Sequence, residues 1–374
     1  MTILHPAITA VFIFIILSSF WEVYDERFGK KKIALWIVGF ALIILGGLRG
    51  NVGADYPIYR TMYGVFFPTI DLSEVWSKML FKDSKLDIEW GYVLLNKVVF
   101  SFGLPFFAFT LVVSILTISV RLKLFYKDSV YPVFSTLLFF IPVYFTTDNG
   151  HMRQALGMVM CVVAYQFIKT RNLWYYLLCM YIAFGFHKST VLFLPAFWFV
   201  KIPLNSSKIF YLIIISIILS PLHIYNSFSG FLESISPQDV SNGFNGYINF
   251  EEKASTFMDG LMIVYSILLV AFDKQACQKI YYYEYMRNIL VVGVCCYFIF
   301  RDNPVFATRL VGVFTTFSYL VIPNIAASLS ISNKRLVHLF FVCFMIFYYF
   351  VFASYQGVAG RFTPDKYTNF LWSY

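Results

Sequence analysis

The sequence predicts an all-α, polytopic transmembrane helical bundle of about twelve spans, with one re-entrant or interfacial helix and no soluble domain. Three observations lead there. Of the 374 residues, 59% are hydrophobic and only 13% charged, against roughly 25% charged in water-soluble domains, so most of the chain cannot face water. Apolar runs bounded by charges or turn residues recur along the whole chain, many of them long enough to cross a bilayer. The basic residues gather at alternate ends of those runs, as they do where short cytoplasmic loops retain Lys and Arg. The 44 Phe and 27 Tyr suit a lipid-facing surface and interfacial belts, where a ring body sits in lipid and a polar tip reaches water.

The first run, 6–24, lacks a basic leader and a small-residue cleavage site, so it reads as a retained span and not a signal peptide. A second span is expected at 33–48. An outer loop with a re-entrant segment follows at 49–103, with an amphipathic helix around Leu72 to Phe81. Within it, 91–103 (GYVLLNKVVFSFG) is too short to span and is separated from the next run by Gly103 and Pro105. Spans are expected at 104–121, 131–146, 152–169 and 173–187, with Gly185, His187 and Lys188 marking a turn before 189–201. A span at 208–226 leads to a second outer loop at 227–257. Further spans at 258–272, 286–300, 304–330 and 336–355 precede an outer tail at 356–374. The whole of 1–374 reads as one integral membrane domain. Five of the six cysteines lie in apolar runs, and together they show neither a disulfide framework nor a zinc spacing. No metal and no cofactor is expected.

Charge orients the spans. Arg27, Lys30, Lys31 and Lys32 follow the first run, and Arg121, Lys123 and Lys127 the third. Placing these inside also brings Lys169, Arg171, Arg287, Lys334 and Arg335 inside. That assignment gives the inner side a net charge of +10 and the outer side −1, together the chain's +9, with both termini and both long polar stretches outside. The positive charge therefore reflects topology, and nothing resembles a basic stripe with stacking aromatics for nucleic acid.

Ionisable residues beside apolar runs are costly unless used, and they concentrate on the outer side. The second span runs into GGLRGNVGADYPIYRTMY, which carries Arg49, Asp55, Tyr56, Tyr59 and Arg60. If the stretch from Asp55 is helical, Asp55 and Tyr59 share a face, as do Tyr56 and Arg60. Glu89 and Tyr92 stand at the entrance of the re-entrant segment. DNGHMRQALG opens the fifth span, with Asp148 or Asn149 as its expected N-cap and Arg153 and Gln154 in its first turn. A helix N-terminus that also carries Arg suits an anion, because free backbone N–H groups and the helix dipole both favour negative charge. His187 and Ser189 lie in FHKS, and Arg301 and Arg309 in RDNPVFATRLVGVF. Each has a structural reading as well: Arg49 and Arg60 meeting lipid phosphates, Arg153 and Arg309 locking helices, and His187 satisfied at the interface, while His5, His151, His223 and His338 are left structural or without an assigned role. Their convergence on one membrane face favours function. Several guanidinium groups beside lipid suit a diphosphate, since they stay charged and form bidentate bonds to phosphate oxygens.

In order, LRGNVGADYPIYR, IEWGYVLLN, MRQALG, GFHKS and ATRLVGVFTTFSYLVIP resemble the motifs of the Wzy-type O-antigen and exopolysaccharide polymerases, specifically the EpsG-like branch. The resemblance covers most of the chain. It implies a glycosyltransferase of the bacterial inner membrane, with its active face in the periplasm, that moves a growing glycan from undecaprenyl diphosphate onto the next lipid-linked repeat unit. It also implies partners in a chain-length regulator and a flippase of the same pathway, besides membrane lipid. On this reading His187 or Asp55 assists catalysis as a base. Arg49, Tyr56, Tyr59, Arg60, Glu89, Arg153, Gln154, Arg301 and Arg309 bind substrate, without a metal. A transporter or flippase for the same lipid-linked oligosaccharide, or an O-antigen ligase sharing the donor chemistry, is the alternative.

Overall fold

The computed structural model describes residues 2–25, 31–53, 55–82, 84, 86–222, 256–303 and 306–372. The expected outer loop 227–257 lies outside them, apart from the start of a helix at Thr256. Of the described residues 79% are helical, and the strands seen among them are two-residue pieces, Arg49–Gly50 and Thr368–Asn369.

Among the described residues, three helices are long and apolar enough to cross a membrane: Pro6–Tyr24, Phe106–Asp128 and Ile331–Ala359. A pair bent by 64°, Met258–Ala271 with Asp273–Lys279, passes the same test when taken together. Other expected spans appear as shorter helices, among them Lys31–Gly47, Leu173–Phe186 and Tyr283–Ile299. Two are broken. The 189–201 stretch is a tight turn, Lys188–Phe193, and a four-residue helix, Ala196–Phe199, because Pro195 and Pro203 bound it. The 304–330 stretch becomes a wide-turned segment Phe306–Leu310 and helices Gly312–Thr315 and Ser318–Ser328. The re-entrant candidate is a helix, Trp90–Ser101, of 12 residues. At 1.5 Å per residue it is about 18 Å long, short of a hydrocarbon core of about 30 Å.

The chain divides into two compact units, one of Met1–Val163, Tyr181–His187 and Ser330–Tyr374, the other of Ala164–Met180 and Lys188–Leu329. In the first, helix Lys31–Gly47 packs along Phe106–Asp128. Small residues let the backbones close: a Cβ at Gly47 would lie 2.8 Å from the Leu111 Cα, and Thr110 Oγ1 donates to the Gly47 carbonyl at 2.5 Å. Glu22 reaches from the first helix to the N-terminus of Pro132–Phe139, where its carboxylate accepts from the Val133 and Phe134 N–H groups at 3.0 Å each. Those donors have no partner within their own helix, so a carboxylate there satisfies them and meets the positive end of the dipole.

The tail is bound to the end of the second helix. Arg49–Gly50 pairs antiparallel with Thr368–Asn369, Tyr367 donates to the Leu45 carbonyl at 2.7 Å, and the Phe370 N–H donates to Leu48 at 2.9 Å. The His5 N–H donates to the Phe362 carbonyl at 2.9 Å. The tail therefore bridges the N-terminal residues and the LRGN segment within this unit.

Two of the cations assigned to the inner side are buried within the protein. Helix Phe106–Asp128 runs beyond the expected boundary, so Arg121 lies within it, 1% exposed, and binds Asp148 through Nη2–Oδ1 at 3.0 Å and Nε–Oδ2 at 3.2 Å. In the second unit Arg287 is likewise buried against Asp273 and Asn288. A charge held in low dielectric must be paired and hydrogen-bonded, and both are.

Candidate functional site

The Asp55 segment folds into a short helix, Tyr56–Thr61, with Pro57 in its first turn, where a missing N–H costs nothing. Wide-turned π segments flank the region, Met62–Phe66 after it and Phe140–Asp148 before the Arg153 helix. Pro142 removes one ladder donor in the latter, and the Asn149 N–H closes a five-residue step onto the Tyr144 carbonyl at 3.0 Å. The expected N-cap therefore fails. Asp148 is held by Arg121, the Asn149 amide donates to the Tyr144 carbonyl at 2.7 Å, and the helix Met152–Thr170 begins after His151.

A chain of polar side chains forms here. His151 Nε2 lies 3.9 Å from Asp55 Oδ2. The Tyr59 hydroxyl donates to the same oxygen at 3.5 Å and also shares a hydrogen bond with Arg153. Arg153 Nη1 in turn donates to Glu89 Oε2 at 2.8 Å. Burial raises the Tyr59 pKa above its ordinary value, with the Arg153 charge opposing and Asp55 adding to the rise, so the hydroxyl stays a donor. The side chains of Asp55, His151 and Arg153 are 34%, 27% and 35% exposed while Glu89 is 7%. Glu89 is thus an internal counter-charge and the other three face an accessible surface. A guanidinium carries five N–H donors, and Glu89 and Tyr59 leave others for an anion at a helix N-terminus.

An aromatic cluster floors this chain, with Tyr59, Tyr63, Phe67, Trp90, Tyr92 and Phe109 buried together. The expected face shared by Asp55 and Tyr59 is present. Tyr56 is buried edge-on to Phe106 at 5.1 Å, which makes it a packing residue, and Arg60 is exposed on the same helix. Arg49 differs most from expectation. It is 1% exposed and donates to the carbonyls of Val52 at 2.9 Å, Asn149 at 3.0 Å and Gly46, with its guanidinium 5.4 Å from the Tyr56 ring centre. It braces the loop that carries Asp55. Gln154 is buried beside Arg153. His187 follows the end of Leu173–Phe186, whose Gly185 packs on Trp90 and Gly91: a Cβ at Gly91 would lie 2.7 Å from the Gly185 carbonyl oxygen. The GFHKS and EWGY motifs therefore meet.

In the second unit Arg301 forms a two-point pair with Asp259 at 2.8 and 2.9 Å, and Tyr297 donates to the same carboxylate at 3.0 Å. The backbone of Arg309 lies in Phe306–Leu310, while its side chain is outside the described residues. His151, to which the sequence assigned no functional role, belongs to the polar chain. Its place two residues before Arg153, at the mouth of a helix, is the signal that marks it.

The family model of the EpsG family matches residues 32–367. The chain belongs to the EpsG family. No curated protein and no solved structure matches it. In this EpsG-family chain every member of the polar chain, from Asp55 to Arg153, falls within the matched region. Membership together with the apolar helices makes it a membrane-embedded protein of the polysaccharide-polymerase type.

Proposed function

We propose that this protein elongates a surface polysaccharide of the O-antigen or exopolysaccharide kind, transferring a growing glycan from undecaprenyl diphosphate to the next undecaprenyl-diphosphate-linked repeat unit. The observation that carries this reading is the pairing of an accessible carboxylate and imidazole, Asp55 and His151, with an accessible guanidinium, Arg153, through one hydroxyl, Tyr59. Breaking a bond between an anomeric carbon and a diphosphate requires charge stabilisation on the leaving group and a base for the attacking hydroxyl. Arg153 supplies the first. The diphosphate oxygen takes the bonding electron pair as the acceptor oxygen joins the anomeric carbon, and the hydroxyl proton passes to Asp55 or His151. His187, at the turn packed on the Glu89 segment, is the second candidate base. The step is read as metal-independent, because the guanidinium holds the charge that develops.

The active face is proposed to be periplasmic in an inner membrane, where the alternating basic residues put the LRGN segment and both chain ends outside. A chain-length regulator and a flippase of the same pathway are the proposed partners. The test is elongation by purified protein supplied with lipid-linked repeat units in detergent, using wild type, Asp55→Asn and Arg153→Ala. Polymer from wild type and single units from both variants support the reading. Wild-type chain lengths from either variant, at equal protein level, remove that residue from the mechanism.

A further inference from the structure

His151 faces two ways. Its Nε2 lies 3.9 Å from Asp55, and its ring also lines a groove of about 450 Å³ between the 145–151 turn and the last turns of helix Ile331–Ala359. That volume falls in the range of small-molecule sites, roughly 300–1,000 Å³. The groove lies wholly within the first compact unit, so His151 joins it to the polar chain through a single side chain.

Two polar groups in the groove lack partners among the described residues. Gln356 is 4% exposed, and its Oε1 accepts no hydrogen bond. A buried amide oxygen left without a donor is costly, so a native structure that keeps one needs a reason for it. Arg361 lines the same groove, and its guanidinium forms no hydrogen bond or ion pair with a described residue. The remaining wall is largely aromatic, with Phe145, Phe352, Tyr355 and Phe362. The groove therefore brings together a buried amide oxygen that lacks a donor, a partly exposed guanidinium with no carboxylate beside it among the described residues, and aromatic side chains. A plain phospholipid tail satisfies only the rings. A saccharide linked to a phosphate satisfies all three.

On the polymerase reading, we infer that this groove is the acceptor subsite, which seats the phosphate-linked sugar of the incoming lipid-linked repeat unit and presents its hydroxyl to Asp55 and His151. A sugar hydroxyl donates to Gln356 Oε1, the sugar ring lies on the aromatic wall and the phosphate meets Arg361. The attacking hydroxyl oxygen bonds to the donor's anomeric carbon as the bond from that carbon to the donor diphosphate breaks. The electron pair leaves on the diphosphate, and the proton goes to the Asp55–His151 pair. Donor and acceptor diphosphates then have separate cations, Arg153 and Arg361.

The experiment uses full-length purified protein, a pre-extended chain on its lipid carrier as donor, and single lipid-linked repeat units extracted from cells lacking the protein as acceptor. Arg361→Gln, at the partly exposed rim, and Gln356→Leu are each expected to raise the KM for the single unit about tenfold, the factor for one lost hydrogen bond to a charged or buried group. The KM for the donor chain stays at its wild-type value. A benzophenone amino acid replacing Tyr355 is expected to crosslink to the single unit on irradiation. An unchanged acceptor KM in Arg361→Gln, or crosslinking to phospholipid alone, overturns the subsite. If Asp55→Asn and Arg153→Ala are inactive while the groove variants keep wild-type acceptor KM, only the subsite is lost; if both of those variants elongate normally, the polymerase mechanism itself is lost.

Discussion

Arg153 and Glu89 lie 64 positions apart in the chain, and Arg153 Nη1 donates to Glu89 Oε2 across 2.8 Å. The pair ties the start of the Met152–Thr170 helix to the start of Trp90–Ser101. One end of it is buried and the other is open, so the carboxylate fixes the guanidinium's position while the guanidinium keeps an outward edge. Removing Glu89 therefore acts on position more than on charge. Glu89→Gln keeps one oxygen acceptor for Arg153, and polymer length is expected to shorten without disappearing, whereas Glu89→Ala is expected to behave like the loss of Arg153. The glycan ladder from complemented deletion cells checks this; equal ladders for the two variants contradict it.

Tyr59 links the acid–base pair to the cation. Hydrogen bonds to charged groups contribute about 1.5–3 kcal/mol each, so Tyr59→Phe is expected to slow elongation by roughly 10–100-fold with protein level retained. Because burial raises its folded-state pKa, the stability that Tyr59 contributes is fully present below the ordinary tyrosine value of about 10 and is lost as pH rises through the higher folded value. The variant is therefore expected to lower the rate plateau and leave its shape up to about pH 9 unchanged. A wild-type rate profile whose alkaline edge near neutrality vanishes in Tyr59→Phe would count against this placement.

Arg121 and Asp148 are each almost fully buried. Breaking such a pair from one side leaves an uncompensated charge and costs about 3–5 kcal/mol, while replacing both partners with apolar residues of similar volume is often near neutral. Arg121→Met alone is expected to lower the unfolding midpoint in detergent sharply. The double variant with Asp148→Leu is expected to recover most of it. A double variant as unstable as the single one shows that the pair acts through more than its charges.

Gly185 meets the face of Trp90: a Cβ there would lie 2.4 Å from the indole ring. Gly185→Ala must push the indole or the helix end aside, a strain of about 1–3 kcal/mol. The expected result is folded protein with reduced elongation, because the displaced segment is the one that carries Glu89 and His187. Partial recovery on adding Trp90→Leu, measured by chain length, checks the steric cause.

Tyr367 holds the tail to the second helix by donating to the Leu45 carbonyl at 2.7 Å. Burial pushes its pKa up to about 12. Tyr367→Phe is expected to cost about 1 kcal/mol of stability and to speed proteolysis within 361–372, with little effect on chain length. Resistance to protease equal to wild type shows that the strand pair alone holds the tail.

The sequence by itself determined the membrane class, the EpsG family and the identity of most of the polar residues. Apolar runs, charge spacing and short motifs are local properties, and lipid leaves few other ways to satisfy a backbone. The face shared by Asp55 and Tyr59 was legible because helix periodicity is local as well. Tertiary structure decided which cations are exposed. Arg49, Arg121 and Arg153 look alike as letters, yet the first is held by carbonyls, the second by a buried carboxylate, and the third keeps donors toward an open surface. The same holds for His151, whose neighbour Asp55 is far along the chain. A guanidinium or imidazole takes its role from the acceptors around it, and those arrive from distant segments that no local pattern records.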